Sequence, residues 1–136
     1  MLVFSPDLRI NISDIDEQHE EIFNRVNSFA DMGAQSFSKE EIDEAMRFLG
    51  AYVARHFVDE EALMQEWSYP GYYAHKEEHI NFTATFAEIQ KEYERNGPSM
   101  TLAFSLMDVV QNWIVTHIKD SDKKMAEYVV NAQIMG

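Results

Sequence analysis

The 136-residue chain has no cysteine. That removes disulfides, thiolate metal sites and cysteine nucleophiles together, and at this length a core does not need covalent staples. Basic residues are scarce: 11 Lys and Arg stand against 24 Asp and Glu, a formal net charge of −13. So negative a surface repels phosphate backbones and anionic lipid, which argues against nucleic acid and membrane surfaces as partners. Long apolar runs are missing as well. No stretch approaches the roughly 18 residues of a membrane span. The first residues, Met1 to Ile12, carry Asp7 and Arg9 and lack the apolar run of a secretory leader. The expected location is the cytoplasm. Breakers are few, with 3 prolines and 5 glycines, which leaves room for long helices. A 46% hydrophobic and 26% charged composition is that of a folded chain, and its length predicts one domain, 1–136.

Four helical patterns fill that length. The first runs from about Ile15 to Met32, with Ile15, His19, Ile22, Val26 and Phe29 on one face. Asp14 is its expected N-cap and Gly33 its stop. The second runs from about Lys39 to Trp67 behind a Ser38/Glu41 capping box. Its stripe is Ile42, Met46, Leu49, Val53, His56, Glu60, Leu63 and Trp67, and Gly50 weakens it. After Tyr69-Pro70-Gly71, the third helix carries Tyr72, His75, His79, Phe82, Phe86, Ile89 and Tyr93. After Asn96-Gly97-Pro98, the fourth runs from about Met100 to Lys119 with Leu102, Leu106, Val109, Trp113 and His117 on one face. A short helix over about 122–130 follows. The predicted fold is an all-α, up-down-up-down four-helix bundle with an N-terminal arm and a short C-terminal helix. Met46 and Met107 read as core filler. Glu20, Glu21, Glu40, Glu44, Glu88 and Glu92 read as a solvated face.

The core stripes are interrupted by polar residues. His19, His56, Glu60, His75, His79 and His117 all sit at core positions, and they include every histidine of the chain. One buried imidazole with a partner is ordinary. A carboxylate among five imidazoles is not, because each unsatisfied buried polar group costs about 1–3 kcal/mol against a net stability of about 5–15 kcal/mol. A metal centre satisfies them together. His56 and Glu60, and His75 and His79, are i, i+4 pairs on one helix face. Glu61 and Asp59 lie off the stripe, so Glu60 is the expected carboxylate. On the last helix, Asp120 shares a face with His117 in a straight helix, whereas Asp122 reaches it only where the helix breaks or distorts. Lys119-Asp120-Ser121-Asp122 is a plausible break, and spacing alone leaves Asp120 and Asp122 even. Five imidazoles with one or two carboxylates suit two ions better than one, and the donor types alone do not select the metal.

These residues resemble the hemerythrin family in its single-domain bacterial form, bacteriohemerythrin. The matching text is Ile15-Asp16-Glu17-Gln18-His19; His56-Phe57 followed by Glu60-Glu61 and Met64; Pro70; His75 and His79 followed by Phe82; and Trp113-Ile114, His117-Ile118 and Asp122. The likeness spans about residues 4 to 125. It implies two non-heme iron ions: His75, His79 and His117 on one, His19 and His56 on the other, with Glu60, Asp122 and a solvent-derived oxo or hydroxo group bridging them. The family's last motif places the final ligand at Asp122 rather than Asp120. Dioxygen would bind end-on and reversibly at the open position of the His19/His56 iron. Family analogy places Ile22, Phe57, Trp113, Ile114 and Ile118 in the oxygen pocket. Two departures stand out: Phe4 where the family usually has Trp, and Ile114 where it often has Leu.

The first functional expectation is therefore an oxygen carrier, store or delivery protein, not an enzyme, with dioxygen as partner and an oxygen-using enzyme as a recipient. The alternatives are a diiron enzyme (peroxidase, nitric oxide reductase or ferroxidase), an oxygen-sensing module, and zinc on the same ligands. The Glu-x-x-His motif of ferritin-like oxidases is absent from the sequence, and a sensor needs an output domain.

Overall fold

The computed structural model describes residues 8–10, 12–32 and 38–135, with side chains left out for 29–32 and 135. Phe4, the Phe29 side chain, Gly33 and most of the expected arm lie outside the described residues. The described chain forms α1 (Ser13–Met32), α2 (Lys39–Phe48), α3 (Ala54–Glu66), α4 (Tyr72–Asn96), α5 (Met100–His117) and α6 (Lys123–Met135). No strand occurs among the described residues. A π turn, Leu49–Val53, joins α2 to α3, and a second, Ile118–Asp122, joins α5 to α6. The six helices are thus four rods. α1 packs on α3 and α5, α3 on α4, and α4 on α5, so rods adjacent in sequence are adjacent in space, as an up-down-up-down bundle requires.

The termini follow local chemistry. The Ser38 hydroxyl accepts from the Glu41 N–H at 3.1 Å and the Ser99 hydroxyl from the Leu102 N–H at 3.1 Å, each filling an orphan donor of a first turn. Gly97 closes α4 with φ +75°, a backbone angle that favours glycine. α1 starts earlier than the sequence reading placed it. The Asp16 N–H bonds the Ile12 carbonyl at 2.9 Å, so Asp14 lies inside the first turn, where its charge suits the helix dipole. The buried Asp16 carboxylate turns back and accepts from the Ile10 N–H at 2.9 Å, pinning the approach to the helix.

Three further expectations are corrected or narrowed. The second pattern is not one regular helix but carries a π turn through Gly50. A Cβ at Gly50 would meet the Phe86 ring at 3.4 Å, an ordinary van der Waals contact. Of the two expected alternatives, the last rod distorts rather than breaks: a wide turn keeps it continuous, and its final helix extends to Met135 rather than ending near residue 130. On α5 Val110 is buried and Val109 packs half-buried against the core, and on α3 Met64 is buried with Leu63 half-buried beside it. Met46 and Met107 are buried as expected.

The core is layered. One apolar cluster includes Ile22, Phe23, Val26, Leu49, Val53, Phe57, Phe82, Phe86, Leu106, Ile114 and Ile118. A smaller one at the other end joins Ile10, Ile15, Met64, Met125, Ala126 and Val129. The buried histidines and carboxylates lie between them. Along α1 the order is Ile15, His19, Ile22; along α3 it is Phe57, Glu60, Met64; through the last rod it is Ile114, His117, Asp122, Met125.

Candidate metal centre

Each rod delivers its polar residues to one level. His19 comes from α1, His56 and Glu60 from α3, His75 and His79 from α4, and His117 and Asp122 from the last rod; all seven are 3% exposed or less. The i, i+4 spacing puts both residues of the α3 and α4 pairs on the inward face. His117 and Asp122 are five apart, about 140° around a regular α-helix. The π turn between them closes i to i+5 and so brings the fifth residue to the face that the fourth would occupy. Asp122 is thereby fully buried and Asp120 exposed.

The donor atoms fall into two groups, each compact enough to hold a metal ion: Glu60, His75, His79 and His117; and His19, His56, Glu60 and Asp122. Glu60 belongs to both. Its Oε1 lies 2.5 Å from His75 Nε2 and 3.1 Å from His79 Nε2, while its Oε2 lies 3.2 Å from His56 Nε2. Asp122 divides in the same way. Its Oδ1 lies 3.0 Å from Nε2 of both His75 and His117, and its Oδ2 lies 2.9 Å from His19 Nε2. Despite these distances, Glu60 Oε2 and both Asp122 oxygens lack a hydrogen-bond partner of acceptable geometry.

The outer nitrogens explain why. His56 Nδ1 donates to Gln18 Oε1 at 2.7 Å, His79 Nδ1 to Glu61 Oε2 at 2.8 Å, and His117 Nδ1 to Glu78 Oε1 at 2.9 Å. A carboxylate only accepts, so Nδ1 of His79 and His117 carries the proton and Nε2 presents a lone pair. Those two Nε2 atoms face each other at 3.1 Å. Two lone pairs at that separation require a cation between them, a proton or a metal ion. Nitrogens about 2.1 Å from a common ion and at right angles lie about 3 Å apart, so the donor set fits metal ions. Imidazole and carboxylate without thiolate suit iron among others.

Without a metal, protons take that place. Burial works against a charge on His117, yet Asp122 and Glu60 hold its pKa up at about 10. Burial likewise opposes charging His75, and the same two carboxylates raise it to about 9. Burial and the Glu60 charge both push Asp122 up, but His117 and His19 bring it down to about 2. Glu60 lies well below its ordinary value because its histidines outweigh the desolvation. Burial also raises Glu78, and its bonds to Ser121 and His117 reverse the shift.

The outer acceptors form a sequence around the bundle. α1 supplies Gln18 to a histidine of α3, α3 supplies Glu61 to α4, and α4 supplies Glu78 to α5. Sequence reasoning left all three off the site. Each is the immediate neighbour of a stripe residue (His19, Glu60 or His79), and the outer acceptor that a metal-binding imidazole usually has was the available clue. Asp59, also off the stripe, is exposed and accepts from Gln18 Nε2 at 2.8 Å.

Of the residues expected around a ligand pocket, Ile22, Phe57, Ile114 and Ile118 are buried and Trp113 is half-buried. The Phe57 ring stacks on His79 at 4.0 Å between centroids and Trp113 stacks on His117 at 4.2 Å. Both aromatics therefore lie against the group with three histidines. No helix among the described residues is long and apolar enough to cross a membrane.

Comparison with known proteins agrees with this architecture. The family described as "Hemerythrin HHE cation binding domain" matches residues 11–129. A bacteriohemerythrin of Methylococcus capsulatus is 33% identical over 113 residues, covering 83% of this chain and 84% of the relative. One from Stenotrophomonas maltophilia is 30% identical over 129 residues, covering 95% and 82%. Among solved structures, a wild-type hemerythrin crystal structure superposes with a TM-score of 0.81 at 29% identity, covering 95% of this chain and 97% of that one.

Proposed function

We propose, since the chain belongs to the hemerythrin family of cation-binding domains, that its buried polar layer holds two non-heme irons and binds dioxygen reversibly. In this reading His75, His79 and His117 hold one iron, His19 and His56 the other, and Glu60 and Asp122 give one oxygen to each. The protein then serves to carry, store or deliver oxygen.

The observation that carries the reading is the unequal division of donors. Both carboxylates face both groups, but one group has three imidazoles and the other two. Two like ions held by these residues would find one donor fewer on the two-histidine side, which would leave room there for a small ligand. Iron bound there supplies the electrons and the open position that dioxygen needs.

The remaining work falls to the protein. The outer acceptors Gln18, Glu61 and Glu78 fix the tautomer and ring orientation of three histidines. Ile22, Ile114 and Ile118, each 2% exposed or less, exclude bulk water. Exclusion matters because water and protons turn reversible binding into one-way oxidation.

The test is to purify the protein, count iron per chain, reduce it without oxygen and record the visible spectrum before and after admitting air. Two irons with a charge-transfer colour that vanishes on degassing and returns support the proposal. Two irons with a one-way change replace oxygen carriage by an oxidase, peroxidase or nitric oxide chemistry. A chain that takes up no iron overturns the metal reading itself.

A further inference from the structure

The outer acceptors are unequal in charge. Behind the three-histidine group stand two carboxylates, Glu61 on His79 and Glu78 on His117. Behind the two-histidine group stands a neutral amide, Gln18 on His56. The amide is not reversed, because Gln18 Nε2 donates to Asp59 Oδ2 and leaves only Oε1 for the histidine. His19 and His75, one in each group, have buried outer nitrogens without a hydrogen-bond partner, so they do not change the contrast.

From this geometry we infer that the chain sets different redox preferences for its two half-sites. Glu61 and Glu78 favour the higher charge on the ion held by His75, His79 and His117, and the neutral Gln18 withholds that preference from the ion held by His19 and His56. The inference rests on reading the layer as a two-iron centre. Its physical basis is general. A carboxylate that accepts the Nδ1–H of a ligating imidazole raises the basicity of the ligand. Its own negative charge favours Fe³⁺ over Fe²⁺, more strongly from Glu61, 22% exposed, than from Glu78, 40% exposed and better screened by solvent. Reduction places one electron on each ferric ion, supplied by an external reductant, and the carboxylates oppose that step. The amide offers the same hydrogen bond without the charge. A glutamate at position 18 would hold the ligand-accepting ion in its oxidised form, so Gln18 acts as a positioning residue that keeps that ion reducible.

The test uses the iron-loaded protein and three variants: Glu61→Gln, Glu78→Gln, and Gln18→Glu made together with Asp59→Asn, so that no second carboxylate faces the new one, and read against Asp59→Asn alone, from which it differs by one negative charge. Each is titrated anaerobically with dithionite and redox mediators while the visible spectrum is followed, and bound iron is counted. Glutamine and glutamate are near-isosteric, so the hydrogen bond to Nδ1 survives each exchange. The expected result is a midpoint potential shifted upward in Glu61→Gln and Glu78→Gln and downward in the Gln18 variant. Iron binding weakens by about 10-fold or more in the first two. Midpoints equal to the parent's, or an upward shift in all three, would overturn the inference, since a merely structural role does not follow the sign of the charge. A parent that holds no iron defeats the reading of the site, whereas a two-iron parent with unshifted variants defeats this inference alone.

Discussion

Removing the metal should cost the fold a measurable amount of stability, and the size follows from three atoms. Glu60 Oε2, Asp122 Oδ1 and Asp122 Oδ2 are buried and receive no hydrogen bond of acceptable geometry. Each such acceptor costs about 1–3 kcal/mol when nothing satisfies it. His75 and His117, whose pKa values are raised, stand 3.0 Å from Asp122 Oδ1 and soften the penalty, so the lower end applies, about 3 kcal/mol in total. For a chain of this length 1 kcal/mol moves the midpoint of thermal unfolding by about 3–5 °C. Stripping iron with a chelator under reducing conditions should therefore lower Tm by about 10 °C or more, read by far-UV circular dichroism, and ferrous iron added back should restore it. A metal-free protein melting within about 3 °C of the loaded one would show that the polar layer satisfies itself, and the argument from orphaned oxygens would fail.

Other consequences follow from the same geometry. Asp122→Ala should sharply reduce iron per chain and Asp120→Ala should leave it unchanged, because the π turn buries the first and exposes the second; equal loss in both would refute the assignment. Ile114→Ala should cost about 2–5 kcal/mol and speed autoxidation of the oxygenated protein, with Ile114→Val intermediate; equal autoxidation rates would reject a water-excluding role. The metal-free protein should show a stability optimum in mildly acidic solution. His75 at about 9 and His117 at about 10 are raised, so their contribution is full below the ordinary 6.5 and is lost as pH rises through those values. Asp122 at about 2 is depressed, so its contribution is full above 3.8 and is lost as pH falls towards 2. Melting temperatures of the metal-free chain should peak between about pH 4 and 6.5, and a peak above pH 8 would contradict the sign.

Most of the helical framework was legible because apolar residues recur at alternating steps of three and four, a period that only α-helices share. The site histidines were legible for the same reason: His19, His56, His75, His79 and His117 interrupt those stripes. What the sequence did not disclose are departures from that period. Counting at α-helical spacing leaves Asp120 and Asp122 even, because a π turn adds a residue that no pattern of apolar positions marks. The turn through Gly50 was hidden in the same way. Gln18, Glu61 and Glu78 escaped because they lie beside the stripe. A residue about 100° from the inward face reads as solvent-facing until the neighbouring helix, with a histidine to hold, is in place.

The second π turn ties the burial of Asp122 to closure of the bundle. Asp122 ends the turn and α6 begins at Lys123, in one continuous rod. Met125, Ala126 and Val129 of α6 then pack with Ile10, Ile15 and Met64 to form the smaller apolar cluster. That cluster covers the polar layer on the side away from the main core. The phase of one turn thus decides both whether Asp122 points inward and whether α6 lands on its apolar partners. Glu78 holds this phase from outside, accepting from His117 Nδ1 at 2.9 Å and from the Ser121 hydroxyl at 2.5 Å on either side of the turn. A change that relaxes the turn must therefore uncover the smaller cluster and displace Asp122 together. An ion held at Asp122, as proposed, would stabilise the docking of α6, so hydrogen exchange in α6 should slow when the site is loaded.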